Sequence, residues 1–132
     1  MILSSLLCLA LVVYHEARGV TFEEQVLVSR SVITRAEDKH ISYCSTAFQP
    51  SQYSWTRNYK YKAKFKNADE FYKYYNINEY QAFLTSVIAA NEAILFNKTE
   101  VRHFYTPSRE NPSWAKNKKI IYKSSNFVFF KD

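Results

Sequence analysis

The sequence predicts a mainly α (α+β) fold: a compact helical domain with a central buried N-terminal helix and at most a small β-ribbon. Three observations lead there. An apolar run fills the first residues and ends at the chain's single glycine; a helix with a capping box follows at once; and strand-like alternation is confined to one short lysine-rich stretch. With 132 residues, 47% of them hydrophobic and 23% charged, the chain is long enough for a proper core and too apolar for disorder. No repeat, linker or composition shift divides it, so a single domain is expected over residues 1–132.

Met1 to Val13 is almost wholly apolar. It resembles the core of a signal peptide, but no Lys or Arg precedes it and no small-x-small cleavage site follows. It is also too short to span a bilayer. The preferred reading is a core helix starting near Ser4 or Ser5, apolar on nearly every side, and stopped by Gly19 as a C-cap residue. Thr21 and Glu24 then form a capping box, and Phe22, Val26, Ser29, Val32, Ile33 and Ala36 recur at helical spacing until Lys39. Residues 41–56 read as an ordered loop. From Tyr59 to Lys66, Tyr59, Tyr61, Ala63 and Phe65 alternate with Lys60, Lys62, Lys64 and Lys66, the period of a short strand or extended ribbon. Asp69 is positioned to cap a short helix through Tyr75. Asn78 with Gln81 opens a longer one, whose buried stripe is expected at Phe83, Leu84, Val87, Ile88 and Ala90. Beyond Asn97 the chain reads as irregular, with Pro107 and Pro112, and closes on the apolar aromatic segment Asn126 to Phe130.

The glycine count removes many functions. Phosphate-cradling loops, dinucleotide fingerprints, nucleophile elbows and EF-hand loops all need glycine where the backbone turns sharply, and Gly19 alone cannot supply them. The net charge of +6 points to a polyanionic neighbour, whether nucleic acid, an anionic membrane or a wall polymer. Cys8 and Cys44 form no C-x-x-C; they read first as two packed reduced thiols, with a disulfide as the alternative. His15-Glu16 has the first half of H-E-x-x-H, but Gly19 stands where the second histidine belongs, and His40 and His103 are isolated. Neither a metal site nor a cofactor is expected.

Glu16 is the residue that physical chemistry singles out. It falls in the last turn of a helix whose preceding residues include Leu9, Leu11, Val12 and Val13. Apolar surroundings and the negative end of the helix dipole both disfavour its anion and raise its pKa, as a general acid near neutral pH requires. Arg18 would oppose the shift if it paired with Glu16. The plainer alternative is a surface glutamate after an apolar run.

Three blocks of sequence resemble one family. Tyr14-His15-Glu16-Ala17-Arg18-Gly19, followed by the helix from Glu24 to Arg35, is similar to the opening of the SleB-type cell-wall hydrolases, which include spore-cortex-lytic enzymes and some phage endolysins. Phe48-Gln49-Pro50-Ser51-Gln52-Tyr53-Ser54-Trp55-Thr56 resembles the family's Q-P-x-Q-F-S-W-T. His103-Phe104-Tyr105-Thr106-Pro107, with Pro112-Ser113-Trp114-Ala115, resembles its T-H-Y-Y-x-P and P-x-W-A. A terminal family pattern with glycine and histidine is missing, the nearest segment being Phe127-Val128-Phe129-Phe130.

The resemblance implies a lysozyme-like domain that cleaves the β-1,4 bond between N-acetylmuramic acid and N-acetylglucosamine, with Glu16 as the catalytic carboxyl. It also implies substrate-binding roles for Gln52, Ser54, Trp55, His103 and Tyr105. Apart from Glu24, which the capping box occupies, no second carboxylate lies in any matched block, whereas hydrolytic glycosidases use a pair. A lytic transglycosylase, which needs one glutamate and leaves a 1,6-anhydro end, is therefore favoured over a hydrolytic muramidase. The expected partner is the peptidoglycan glycan strand, with Lys60, Lys62, Lys64 and Lys66 available to anionic wall polymers. The expected setting is a monomer acting on the bacterial wall without a cleaved signal, with neither nucleic acid nor stable membrane insertion involved. The competing class is a basic polyanion- or nucleic-acid-binding module, supported by the charge and by the aromatic–lysine alternation but leaving the Glu16 block unexplained.

Overall fold

The computed structural model describes residues 3–50, 52–59 and 65–131. Five α-helices lead into a small antiparallel sheet: α1 (Leu3–Ala17), α2 (Phe22–Lys39), α3 (Tyr43–Ala47), α4 (Ala68–Tyr74), α5 (Tyr80–Leu95), then β1 (His103–Tyr105), β2 (Ile120–Lys123) and β3 (Val128–Phe130). Two 3-10 turns, Ser54–Asn58 and Ser113–Asn117, sit between these elements. The fold is mainly helical with a small sheet, as the sequence predicts. None of the described helices is long and apolar enough to cross a membrane.

Helix α1 is the axis of the core. Residues 7–14 are all buried, and α1 packs against α2, α3 and α5. Leu9, Val12 and Val13 enter one apolar cluster with Val28, Val32 and Ala90, while Leu7, Cys8, Leu11 and Tyr14 enter a second with Phe71, Tyr75 and Phe83. A helix apolar all round suits this position because every face meets protein. Its start differs from expectation: Ser4 lies inside the first turn and is buried, so neither serine serves as the cap. Its end agrees. Gly19 adopts φ +84°, and the chain reverses there into the Thr21–Glu24 capping box of α2.

Several other boundaries are moved by packing. The predicted loop 41–56 contains α3, capped by Ser42, and the first 3-10 turn. Cys8 and Cys44 are joined as a disulfide with 5.3 Å between Cα atoms, because α3 lies directly against α1; the reduced-thiol reading is corrected. Asn67, not Asp69, caps α4, its side chain accepting from the Glu70 N–H. Helix α5 begins after Glu79, and Asn78 instead accepts a hydrogen bond from the Tyr14 hydroxyl at 3.2 Å. The buried stripe of α5 is Phe83, Ser86, Ala89, Ala90 and Ala93, whereas Leu84 and Ile88 are exposed. Small residues face inward there, which lets α5 come close to both α1 and α2. The predicted ribbon 59–66 falls mostly on Lys60, Tyr61, Lys62, Ala63 and Lys64, outside the described residues; Lys66 is exposed.

The segment read as irregular forms the sheet, in the order β1-β3-β2. Central β3 is buried and pairs His103 with Phe130 and Tyr105 with Val128 on one side, and Ile120 with Phe130 on the other. Strands of three or four residues carry too little alternation to stand out in the sequence.

Candidate active site

Glu16 stands in the last turn of α1, and two buried side chains of α2 hold that end in place. Gln25 donates its amide to the Ala17 carbonyl at 3.1 Å, satisfying an acceptor that the helix end leaves open. Glu24, 1% exposed, accepts from the Thr21 N–H and hydroxyl at 3.1 and 2.9 Å. The same carboxylate accepts from the Asn126 N–H and side-chain amide at 3.1 Å each, and from the Ser124 hydroxyl. One carboxylate thus ties the α1–α2 reversal to the β2–β3 turn. This set of donors pulls its pKa down to about 2, against the cost of burial.

Burial is the main influence on Glu16 and raises its pKa. The indole of Trp55 opposes the rise by attracting the anion, although its Nε1 reaches no full hydrogen bond among the described residues. The Glu110 carboxylate pushes the pKa further up and the Arg109 guanidinium pulls it down. Arg18 does not neutralise Glu16: it pairs with Glu79 at 2.9 Å and lies over the Tyr14 ring at 4.5 Å. The adjacent His15 is half-buried, stacked on Trp55 at 4.5 Å, with its pKa lowered to about 4 by burial first and Arg18 second. It is neutral at neutral pH and leaves the carboxyl without a cationic partner on its own helix.

The carboxyl opens into a cavity of about 570 Å³, within the ~300–1,000 Å³ range of small-ligand sites. Of the residues singled out in the sequence, Glu16, Gln52, His103 and Tyr105 line it. Ser54 and Trp55 do not. Ser54 is exposed at the start of the 3-10 turn, and Trp55 is engaged in stacking on His15 and on Tyr53 at 5.8 Å. Trp55 packs against both apolar clusters, and its bearing on the site is the electrostatic one of favouring the Glu16 carboxylate.

The exposed aromatic surface of the cavity is Trp114 instead, 40% exposed and packed on His103, Tyr105 and Phe130 at 5.5 to 6.0 Å. Tyr105 in turn stacks on Phe130 at 5.7 Å. Glu110, Arg35, Arg102 and Lys118 complete the charged lining. No local sequence pattern marks these four as site residues. Glu110 comes from a turn between two prolines with no local pattern, and Arg35 lies in the C-terminal half of a helix whose apolar stripe draws attention elsewhere. Among the described residues no group of three His, Cys, Asp or Glu side chains assembles to hold a metal ion.

A half-buried acid with a raised pKa, an exposed indole and several hydrogen-bonding side chains around one cleft can bind a sugar and protonate a leaving oxygen. No family model, curated protein or solved structure matches the chain.

Proposed function

We propose that the protein cleaves the β-1,4 glycosidic bond of peptidoglycan, with Glu16 as the general acid. The observation that supports this most is the Glu16 carboxyl itself, disposed by burial to keep its proton and facing a cleft of about 570 Å³. The resemblance of the three sequence blocks to the SleB-type family points to the same residue. Glu16 protonates the glycosidic oxygen as the bond to C1 of muramic acid breaks. The resulting carboxylate then takes the proton of the C6 hydroxyl of that sugar, whose oxygen attacks C1 and closes a 1,6-anhydro ring. No water is consumed, and Glu16 regains its proton. Trp114 offers an apolar face to a sugar ring, and Gln52 and Tyr105 offer hydrogen bonds to acetamido groups and hydroxyls.

One observation favours a hydrolytic variant of the same cleavage. Glu110 lines the cavity and acts on Glu16 electrostatically, so a second carboxylate is present there although it lies outside the matched blocks. In that route Glu110 activates a water or stabilises the sugar cation.

The test is mass spectrometry of fragments released from purified peptidoglycan. Anhydro ends mean transglycosylation, and reducing ends mean hydrolysis. Freed stem peptides, or equal activity in the native protein and Glu16→Gln, would overturn the assignment and return the reading to a polyanion-binding module. The proposed setting is the bacterial wall, acted on by a monomer.

A further inference from the structure

The cavity has a cationic lining that acid catalysis does not use. Arg35 reaches it from α2 and is only 7% exposed. Its Nε donates to the Ser31 carbonyl at 3.0 Å and one terminal nitrogen donates to the Tyr53 hydroxyl at 2.9 Å. Both acceptors are neutral, and among the described residues no carboxylate pairs with this guanidinium. An enclosed cation without a counter-charge is costly, and proteins usually provide a partner. Arg102 shows the contrast: it meets Asp38 through two nitrogens at 2.6 and 3.2 Å. Arg30, the other buried arginine of α2, reaches Glu37 at 3.9 Å.

Half-buried Lys118, just past the second 3-10 turn, adds a second cation to the same lining, also without an ion pair among the described residues. The charges that act on Glu16 are those of Glu110 and Arg109. Arg35 and Lys118 are not among them and stand in the same lining.

We propose that Arg35 and Lys118 form a subsite for a carboxylate carried by the glycan, at its muramic-acid substituent. The inference rests on the glycan-cleaving reading and adds the substrate class: carboxylate-bearing strands are bound, and neutral strands of the same sugars are bound poorly. The buried guanidinium, held by Ser31 and Tyr53, fixes the anion, and the half-buried lysine of the same lining adds a second charge. Charge-assisted hydrogen bonds of this kind are worth ~1.5–3 kcal/mol, which corresponds to about tenfold or more in affinity.

The experiment uses wall preparations stripped of phosphate polymers, in two forms: native, and with carboxylates converted to neutral amides by carbodiimide coupling to an amine. Binding is measured with the Glu16→Gln protein, so that the wall is not consumed. The native form is expected to bind about tenfold more tightly than the amidated one, and adding Lys118→Gln should reduce that ratio to about threefold or less. Lys73→Gln, on α4 and away from the cavity, should leave it unchanged. Equal binding to both walls, a ratio indifferent to Lys118, or an equal loss with Lys73→Gln overturns the subsite. The outcomes of the two readings separate: an enzyme that releases saccharide ends equally from both walls keeps its activity and loses the subsite. A protein that binds carboxylates through Lys118 but releases no saccharide ends keeps the subsite and loses the glycosidase reading.

Discussion

Replacing Glu24 by Gln tests whether one buried carboxylate holds the scaffold of the site. In the native protein its pKa is about 2, against an ordinary value of 4.5, because five donors from Thr21, Ser124 and Asn126 favour the anion. At about 1.4 kcal/mol per pH unit, that difference corresponds to roughly 3 kcal/mol of stability. A folded-state pKa that is depressed gives stability that is fully present above 4.5 and lost as pH falls toward 2. Glutamine keeps the size and one acceptor but not the charge. Urea denaturation of both proteins should show a gap of about 3 kcal/mol at pH 7 that closes progressively below pH 4.5 and is nearly gone at pH 2. At the entropy scale of a chain this size, the pH 7 gap corresponds to about 10 °C in Tm. Other carboxylates titrate in both proteins and cancel in the difference. A gap of equal size at pH 7 and pH 2 would refute the electrostatic account, as would one below about 1 kcal/mol at pH 7.

Glu16→Gln should have the opposite sign on stability. Burial raises this pKa, so the native protein is penalised as pH climbs above 4.5 through the folded value, and the amide removes the penalty. Thermal melts should find the variant more stable at pH 7 and equal at pH 4, while glycan cleavage falls roughly 10²- to 10⁴-fold; a variant less stable at pH 7 contradicts the burial argument. Cys8 and Cys44 are separated by 36 residues, and removing their cross-link should cost about 4 kcal/mol by loop-closure entropy. A melting temperature indifferent to reductant would show that the bond contributes nothing. Gly19→Ala meets no atom within 4 Å, so its cost of about 1–2 kcal/mol comes from the left-handed backbone alone. Gly19→Asn should recover much of that loss; if alanine and asparagine cost the same, backbone conformation is not the cause.

What was legible in the sequence is what backbone periodicity and capping decide locally. The apolar run of α1, the stop at Gly19, the Thr21–Glu24 box and the stripe of α2 are properties of neighbouring residues, and the structure has them where they were expected. Because Glu16 is fixed by the end of one helix, its placement was readable as well. The exceptions follow the same logic. Phe22 fits the helical stripe yet is 43% exposed, and the stripe of α5 is turned toward alanines, because the neighbouring helix decides which face is covered.

The sequence by itself determined α1, α2, the turn that follows Glu16, and the apolar setting that raises its pKa. Only the tertiary structure decided what stands opposite. It brought Glu110, Arg35, Trp114 and Lys118 to one cavity, gave Trp55 to stacking, and set Cys8 against Cys44. Those residues lie as many as 102 positions from Glu16 in the chain (118 − 16), and no local pattern encodes that distance. Their meeting depends on how α1, α2 and the three short strands pack, which is a balance of buried area over the whole core rather than a property of any segment.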